Sequence, residues 1–192
     1  MLDDDAVIAQ SWQQPERFAV LFDRHAAYIH RYITRRAGPQ AAEDLVAETF
    51  LTAFRKRRRY QHGYASARPW LYGIATHLVG QHYRDQARQH RLYQAAGPAP
   101  VSPDFSERAD ARVTATAIRP VLTEALAGLP PGDRDVLLLI AWEELSYEEV
   151  ARALGIPLGT VRSRLYRARV RLRKALAPTG AAATYKEIVT NE

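Results

Sequence analysis

The chain has 192 residues, with 27 Lys and Arg against 21 Asp and Glu, for a formal net charge of +6. Its composition, 47% apolar and 25% charged, is that of a globular chain and excludes collagen, coiled-coil fibre and wholesale disorder. The absence of cysteine removes a disulfide framework, a thiolate zinc site and a cysteine nucleophile together. The longest apolar run, Val136 to Trp142, is far short of the ~20 residues a membrane-spanning helix needs. The start MLDDDAVIAQ is acidic where a secretory signal is basic and then apolar, so a cytoplasmic protein is expected.

This length suits one ordinary domain or two small ones. Apolar residues recur with helical spacing and no stretch sustains strand alternation, so an all-α fold is predicted. In chain order the first helices are predicted at about 15–36, 41–59 and 68–92, broken at Gly38-Pro39 and His62-Gly63. The stretch AAGPAPVSP over 95–103, with three prolines and a glycine, reads as an extended, semi-rigid linker. Beyond it helices are predicted at about 106–127, 131–142, 146–154 and 158–176, separated by Gly128-Leu129-Pro130 and Gly155-Ile156-Pro157. The last fifteen residues have weak periodicity and read as a frayed tail. The expected plan is a domain over 1–94, a linker over 95–109, a second domain over 110–177 and a tail over 178–192.

Charge is distributed in blocks. No Asp or Glu occurs between Val150 and Lys186, a stretch holding nine Arg or Lys residues. Just before it, Ser146-Tyr147-Glu148-Glu149 has capping-box spacing, which starts a helix whose apolar face is Val150, Ala151 and Leu154. Gly155 stops that helix with a left-handed backbone. After the turn Gly155-Ile156-Pro157, the residues Val161, Leu165, Ala168, Leu172 and Ala175 fall on one stripe of a second helix. Two helices joined by so short a turn form a helix-turn-helix. At about 100° per residue, the side away from the stripe carries Ser163, Tyr166, Arg167, Val170 and Lys174, with Arg162 on its flank. That side suits a DNA major groove. Arg162 and Arg167 could each bridge guanine O6 and N7, Ser163 could meet most bases, and Tyr166 could contact a thymine methyl or a phosphate. Arg169, Arg171, Arg173 and Lys174 suit phosphates. A solvated cationic face is the bland alternative, and seven basic residues without an acid, directly after a capped helix, tell against it.

In the first half, Asp44, Glu48, Leu51 and Arg55 line one side of the helix over 41–59, away from Leu45, Val46, Thr49, Phe50 and Ala53. Like charges at i and i+4 repel by a few tenths of a kcal/mol, so an external cationic partner would relieve Asp44 and Glu48. A magnesium nuclease built on Glu43, Asp44 and Glu48 is disfavoured: on a helix Glu43 and Glu48 diverge by about 140°, and no phosphate cradle or neighbouring base accompanies them. From Arg68 to Arg91, aromatic and basic residues interleave, a pattern that suits single-stranded DNA. Trp70, Leu71 and Ile74 are assigned to the core; His77, Gln81, Tyr83, Arg84 and Arg88 are the DNA candidates. His77 and His82 point different ways and no Cys completes a metal site. The run Arg55 to Arg59 lacks an apolar face for membrane insertion and reads as a polymerase or DNA contact, with a solvated helix end as the alternative.

The segment LSYEEVARALGIPLGTVRSRLYRAR resembles the promoter-binding C-terminal domain of bacterial extracytoplasmic-function (ECF) sigma factors, in the sigma-70 superfamily. FAVLFDRHAAYIHRYITRR, AAEDLVAETFLTAFRK and RPWLYGIATHLVGQHYRDQARQHR resemble the N-terminal domain of the same family. The resemblance implies a specificity subunit of RNA polymerase with no enzymatic activity or cofactor of its own. It implies that the second domain reads the minus-thirty-five element with Arg162, Ser163, Tyr166 and Arg167 on bases and Thr160 on phosphate. The first domain would capture unpaired minus-ten bases with a helix pair and the loop near Tyr60 to Ala67, holding a flipped base in a pocket. The matching AEDLxxETF segment, with Asp44, Glu48, Leu51 and Arg55, would dock on the clamp helices of the largest polymerase subunit, and the flap of the second-largest subunit is a further implied partner. Ala47 stands where the family often has Gln, and His77 and Gln81 where it commonly has Asn and Asp. An anti-sigma factor is another family partner, for which no residue here is diagnostic. A free-standing helix-turn-helix regulator, which would bind duplex DNA without polymerase, is the competing expectation.

Overall fold

A computed structural model of the chain describes residues 2–95 and 115–177. The described residues form α-helices and short 3-10 turns, with no strand among them. The linker over 95–109 falls almost wholly outside the described residues, and the predicted tail and the start of the helix over 106–127 fall outside them as well.

The first element was not foreseen from periodicity. Asp4–Gln10 forms α1, capped by the Asp3 carboxylate, which accepts from the Ala6 N–H at 2.8 Å. Asp4 and Asp5 occupy its first turn, where negative charge complements the helix dipole. Seven residues are too few for a 3.6-residue period to register, and it is packing of Val7 and Ile8 into the core that holds the helix.

The helix expected from residue 15 is split: Pro15–Phe18 is a 3-10 turn, and α2 spans Ala19–Ala37. Leu21, His25, Ile29, Tyr32 and Ile33 form its buried stripe. Gly38, at φ +82°, ends α2 in a conformation that disfavours a side chain, and Pro39 opens α3, Pro39–Lys56, at a first-turn position where its missing N–H costs nothing. Val46, Thr49, Phe50 and Ala53 face inward as expected, with Leu45 half-buried. Helix α4, Arg68–Ala95, is 28 residues long, roughly 40 Å. Its first half is buried through Leu71, Tyr72, Ala75 and Val79, and its second half is exposed.

The second domain comprises α5 (Ala115–Ala127), α6 (Pro131–Ala141), α7 (Tyr147–Leu154) and α8 (Leu158–Leu176). The predicted capping box is formed: Ser146 Oγ accepts from the Glu149 N–H at 3.2 Å, and Glu149 Oε2 accepts from the Ser146 N–H at 2.8 Å. Gly155 at φ +63° is the left-handed cap. Helices α5, α6 and α7 pack on α8, covering Val161, Leu165, Ala168, Leu172 and Leu176. Ala175, expected to close this stripe, is exposed, and Leu176 takes its place. The two domains meet along α4, which packs against α6 and α7. Among the described residues no helix is long and apolar enough to cross a membrane.

Candidate nucleic-acid interface

Helix α8 presents Arg162, Ser163, Tyr166, Arg167, Arg171, Arg173 and Lys174 on its exposed side, while Thr160 and Arg169 are half-buried. Tyr166 is 70% exposed, so its ring and hydroxyl are open to an outside partner. Ser163 Oγ donates to the Thr160 carbonyl at 3.1 Å, which leaves its lone pairs free to accept. The guanidinium of Arg167 is already engaged: Nη2 donates to Asp133 Oδ1 at 2.8 Å and Nε to Oδ2 at 3.1 Å. The Asp133 hydrogen bond raises the Arg167 pKa above its ordinary value. Asp133 lies in the first turn of α6 and is buried. Its partnership with Arg167 joins residues 34 apart in sequence, a separation at which no spacing rule operates.

On α3, Asp44, Leu51 and Arg55 are exposed and Glu48 is half-buried, all on the side away from the core. Thr52 Oγ1 donates to Glu48 Oε1 at 3.3 Å, and Arg55 Nη1 stands 3.8 Å from the same oxygen. Among the described residues no cation stands within ion-pair distance of Asp44. Leu51, 42% exposed, shares this side of α3 with the acids, and Phe22 of α2, 46% exposed, packs its ring edge-on against Phe50 at 4.9 Å. The face therefore combines carboxylates with apolar area, as a docking surface does. Ala47 is also exposed. Of the basic run that follows, Arg57 is structural. It donates to the Ser11 and Phe54 carbonyls at 3.3 and 2.7 Å, and its guanidinium lies 3.9 Å from the Phe54 ring centroid. Arg58 and Arg59 are exposed.

The loop from Tyr60 to Ala67 is braced by α1. Asp4 Oδ2 accepts from the Ala67 N–H at 2.8 Å and from His25 Nε2 at 2.7 Å, while Arg24 Nη1 donates to Asp4 Oδ1 at 2.9 Å. Burial alone would raise the Asp4 pKa, but these hydrogen bonds outweigh it and hold the carboxyl well below the usual carboxylate range. Asp5 accepts from the Gly63 N–H at 3.0 Å and hydrogen-bonds His62. Tyr60 is buried against Trp70, ring centroids 4.9 Å apart. Burial, with the Asp5 and Asp4 carboxylates nearby, pushes its hydroxyl up to about 12. Beyond the loop, His77, Gln81, Arg84 and Arg88 lie exposed along α4. Tyr83 is half-buried, and its hydroxyl donates to the Arg36 carbonyl; of the five candidates on α4 it is the one tied into the domain.

Two family models match the chain: one described as Sigma-70 region 2 over residues 21–89, the other as Sigma-70, region 4 over residues 120–172. The "ECF RNA polymerase sigma factor SigE" of Mycolicibacterium smegmatis is 36% identical over 178 residues, covering 90% of this chain and 64% of SigE. The "RNA polymerase sigma factor CarQ" of Myxococcus xanthus is 34% identical over 169 residues, 84% of this chain and 90% of CarQ. Among solved structures, CnrH in complex with the cytosolic domain of CnrY superimposes with a TM-score of 0.63 at 23% identity, covering 92% of this chain and 98% of that one. The sigma factor RpoE in complex with the anti-sigma factor NepR from Bartonella quintana gives 0.60 at 23% identity, over 83% and 96% of the two chains. At that identity the likeness is one of fold.

Proposed function

Because the chain belongs to the sigma-70 family, and within it to the ECF sigma factors of bacterial RNA polymerase, we propose that it is the subunit that directs core polymerase to a particular set of promoters. The observation that carries this reading is one chain holding two matched regions in order, with an exposed acidic and apolar face on the first and an acid-free basic helix on the second. A regulator acting alone needs only the second.

In this reading the domain over 1–94 binds polymerase and captures the minus-ten element, and the domain over 110–177 reads the minus-thirty-five element across the linker 95–109. Asp44, Glu48, Leu51 and Arg55 form the docking face for the clamp helices. Arg162, Ser163, Tyr166 and Arg167 enter the major groove, and Thr160, Arg169, Arg171, Arg173 and Lys174 follow the phosphates. His77, Gln81, Arg84 and Arg88, with Tyr83 in support, meet the unpaired minus-ten strand. The anti-sigma factor NepR held by RpoE in one solved structure of like fold supports a restraining protein partner for this chain as well.

The test is to mix the purified chain with bacterial core RNA polymerase, isolate the complex by size exclusion, and transcribe a genomic fragment library. A complex that initiates at sites core polymerase does not use alone is the expected result. Sequence-specific duplex binding by the free chain, with no polymerase complex, would overturn it in favour of a free-standing regulator.

A further inference from the structure

Four arginines on four helices, Arg36 of α2, Arg84 of α4, Arg134 of α6 and Arg164 of α8, line one cavity of about 560 Å³ where the two domains meet. Gly73 sets how closely its walls approach. A Cβ there would collide with the Ala153 carbonyl oxygen of α7, so glycine alone lets α4 and α7 meet at this point, and both residues also line the cavity.

The charges in this cavity do not balance. Its one carboxylate is Asp135, and Arg36 already holds it: Nη2 donates to Asp135 Oδ1 at 2.7 Å, while Nη1 donates to the Tyr32 hydroxyl at 2.7 Å. Among the described residues no carboxylate stands within ion-pair distance of Arg84, Arg134 or Arg164. Arg134 Nε is buried without a hydrogen-bond partner among them. The Arg134 guanidinium lies 5.9 Å from the Tyr83 ring centroid, within cation–π range, but a ring carries no net charge and the excess remains. Arg164 is laid into the space that Gly132 leaves: a Cβ at that glycine would lie 2.7 Å from Arg164 Nη1 and 3.0 Å from its Cζ. Three guanidinia from three helices therefore share one cavity without a counter-charge, and like charges drawn together in a partly enclosed site repel. A bound anion relieves that repulsion. None of the roles proposed above uses Arg134 or Arg164.

We infer that this cavity is a binding site for a small anion of nucleotide size that bears two or more phosphate groups. Its volume lies within the range of about 300–1,000 Å³ usual for small-molecule sites. A guanidinium is planar and pairs with two phosphate oxygens at once, so three of them suit a di- or triphosphate better than a monoanion. Tyr83 and His77 add ring surface to the same cavity. His77, Tyr83 and Arg84 are also single-strand candidates, so on the proposed function a bound anion and the unpaired strand exclude one another; the anion site itself stands without that reading.

The experiment titrates the full chain with pyrophosphate, ATP and GTP by isothermal calorimetry at about 0.15 M salt, where long-range attraction is screened. One saturable site per chain is expected. Arg164→Gln should weaken it about tenfold or more, the loss expected when a charge-assisted contact is removed. Gly132→Ala conserves every charge and displaces only the Arg164 guanidinium, so it should weaken binding several-fold; general attraction of a polyanion to a basic chain would not register that change. Arg59→Gln, which removes an exposed arginine outside the cavity, should bind as the parent does. Circular dichroism and thermal unfolding establish that each variant is folded. Tighter binding of ATP or GTP than of pyrophosphate assigns the site to a nucleotide, and equal binding assigns it to an inorganic polyphosphate. Absence of a saturable site, or parent-like binding by both Arg164→Gln and Gly132→Ala, would overturn the inference.

Discussion

Arg167 carries two hydrogen bonds to Asp133, so the base contact proposed for it would be an exchange. Asp133 offers two oxygens in the geometry of a fork, and guanine, through O6 and N7, is the base that offers two major-groove acceptors in return. A base with one acceptor leaves the guanidinium worse bonded than before. Arg167→Ala is therefore expected to lower discrimination at one base pair of the minus-thirty-five element by ~1–3 kcal/mol, measured by competition between duplexes differing at that pair. Asp133→Ala should have the opposite character, tightening binding to unrelated duplexes more than to the preferred one. Asp4 supplies a second prediction at this scale. Its folded carboxyl titrates below the unfolded value, so over that interval the unfolded chain binds more protons and stability rises with pH. The stabilisation is complete above the unfolded carboxylate pKa of about 4 and is lost as pH falls further. Urea unfolding of Asp4→Asn from pH 3 to pH 7 should show a flatter acid limb and lower stability at neutral pH.

At the scale of elements, α7 is secured at both ends by local chemistry, the capping box and Gly155. Ser146→Ala should cost about 1 kcal/mol, read from thermal or urea unfolding. Helix α3 separates stability from function: Asp44→Ala combined with Glu48→Ala touches no buried group and should leave the melting temperature unchanged while weakening the polymerase complex. Normal polymerase binding by that variant would remove the docking assignment. Most helices were legible from the sequence because they satisfy their own rules, with a 3.6-residue stripe in the middle and Pro, Ser or Gly at the ends. The exceptions were short or ambiguous. Helix α1 has too few residues to show a period, the turn at Pro15–Phe18 tightens a helix start that periodicity had extended, and Ala175 and Leu176 were both apolar and adjacent, so the drift of the stripe decided between them.

Across the whole molecule the balance shifts toward what sequence does not display. The exposed face of α8 and the acidic side of α3 were readable, since each lies within one helix. Asp133 beneath Arg167, the bracing of the loop by Asp4 and Asp5, and the seating of α7 on α4 join distant residues and obey no spacing. One signal was present: Gly73 lies inside a strongly helical stretch, where an isolated glycine usually has a packing reason. Charge, which acts at a distance, gives a prediction for the entire chain. Duplex affinity should fall linearly on a log–log plot with salt, and replacing Arg171 or Arg173 with Ala should reduce the slope by about 1 each, with little effect on which sequence is preferred.

The brace between α1 and the loop also has a kinetic meaning. The Asp4 carboxylate and the Ala67 amide are 63 residues apart, so this contact closes a large circuit of chain, whereas α2, α3 and α4 can each form locally; closure over such distances is slow. The loop over 60–67 should accordingly be the last part of its domain to be secured on refolding and among the first to open in the native state. The Ala67 and Gly63 amides, each held by a single carboxylate from α1, would report that opening in hydrogen exchange, well before the amides inside α3 or the buried half of α4 gave up their protons.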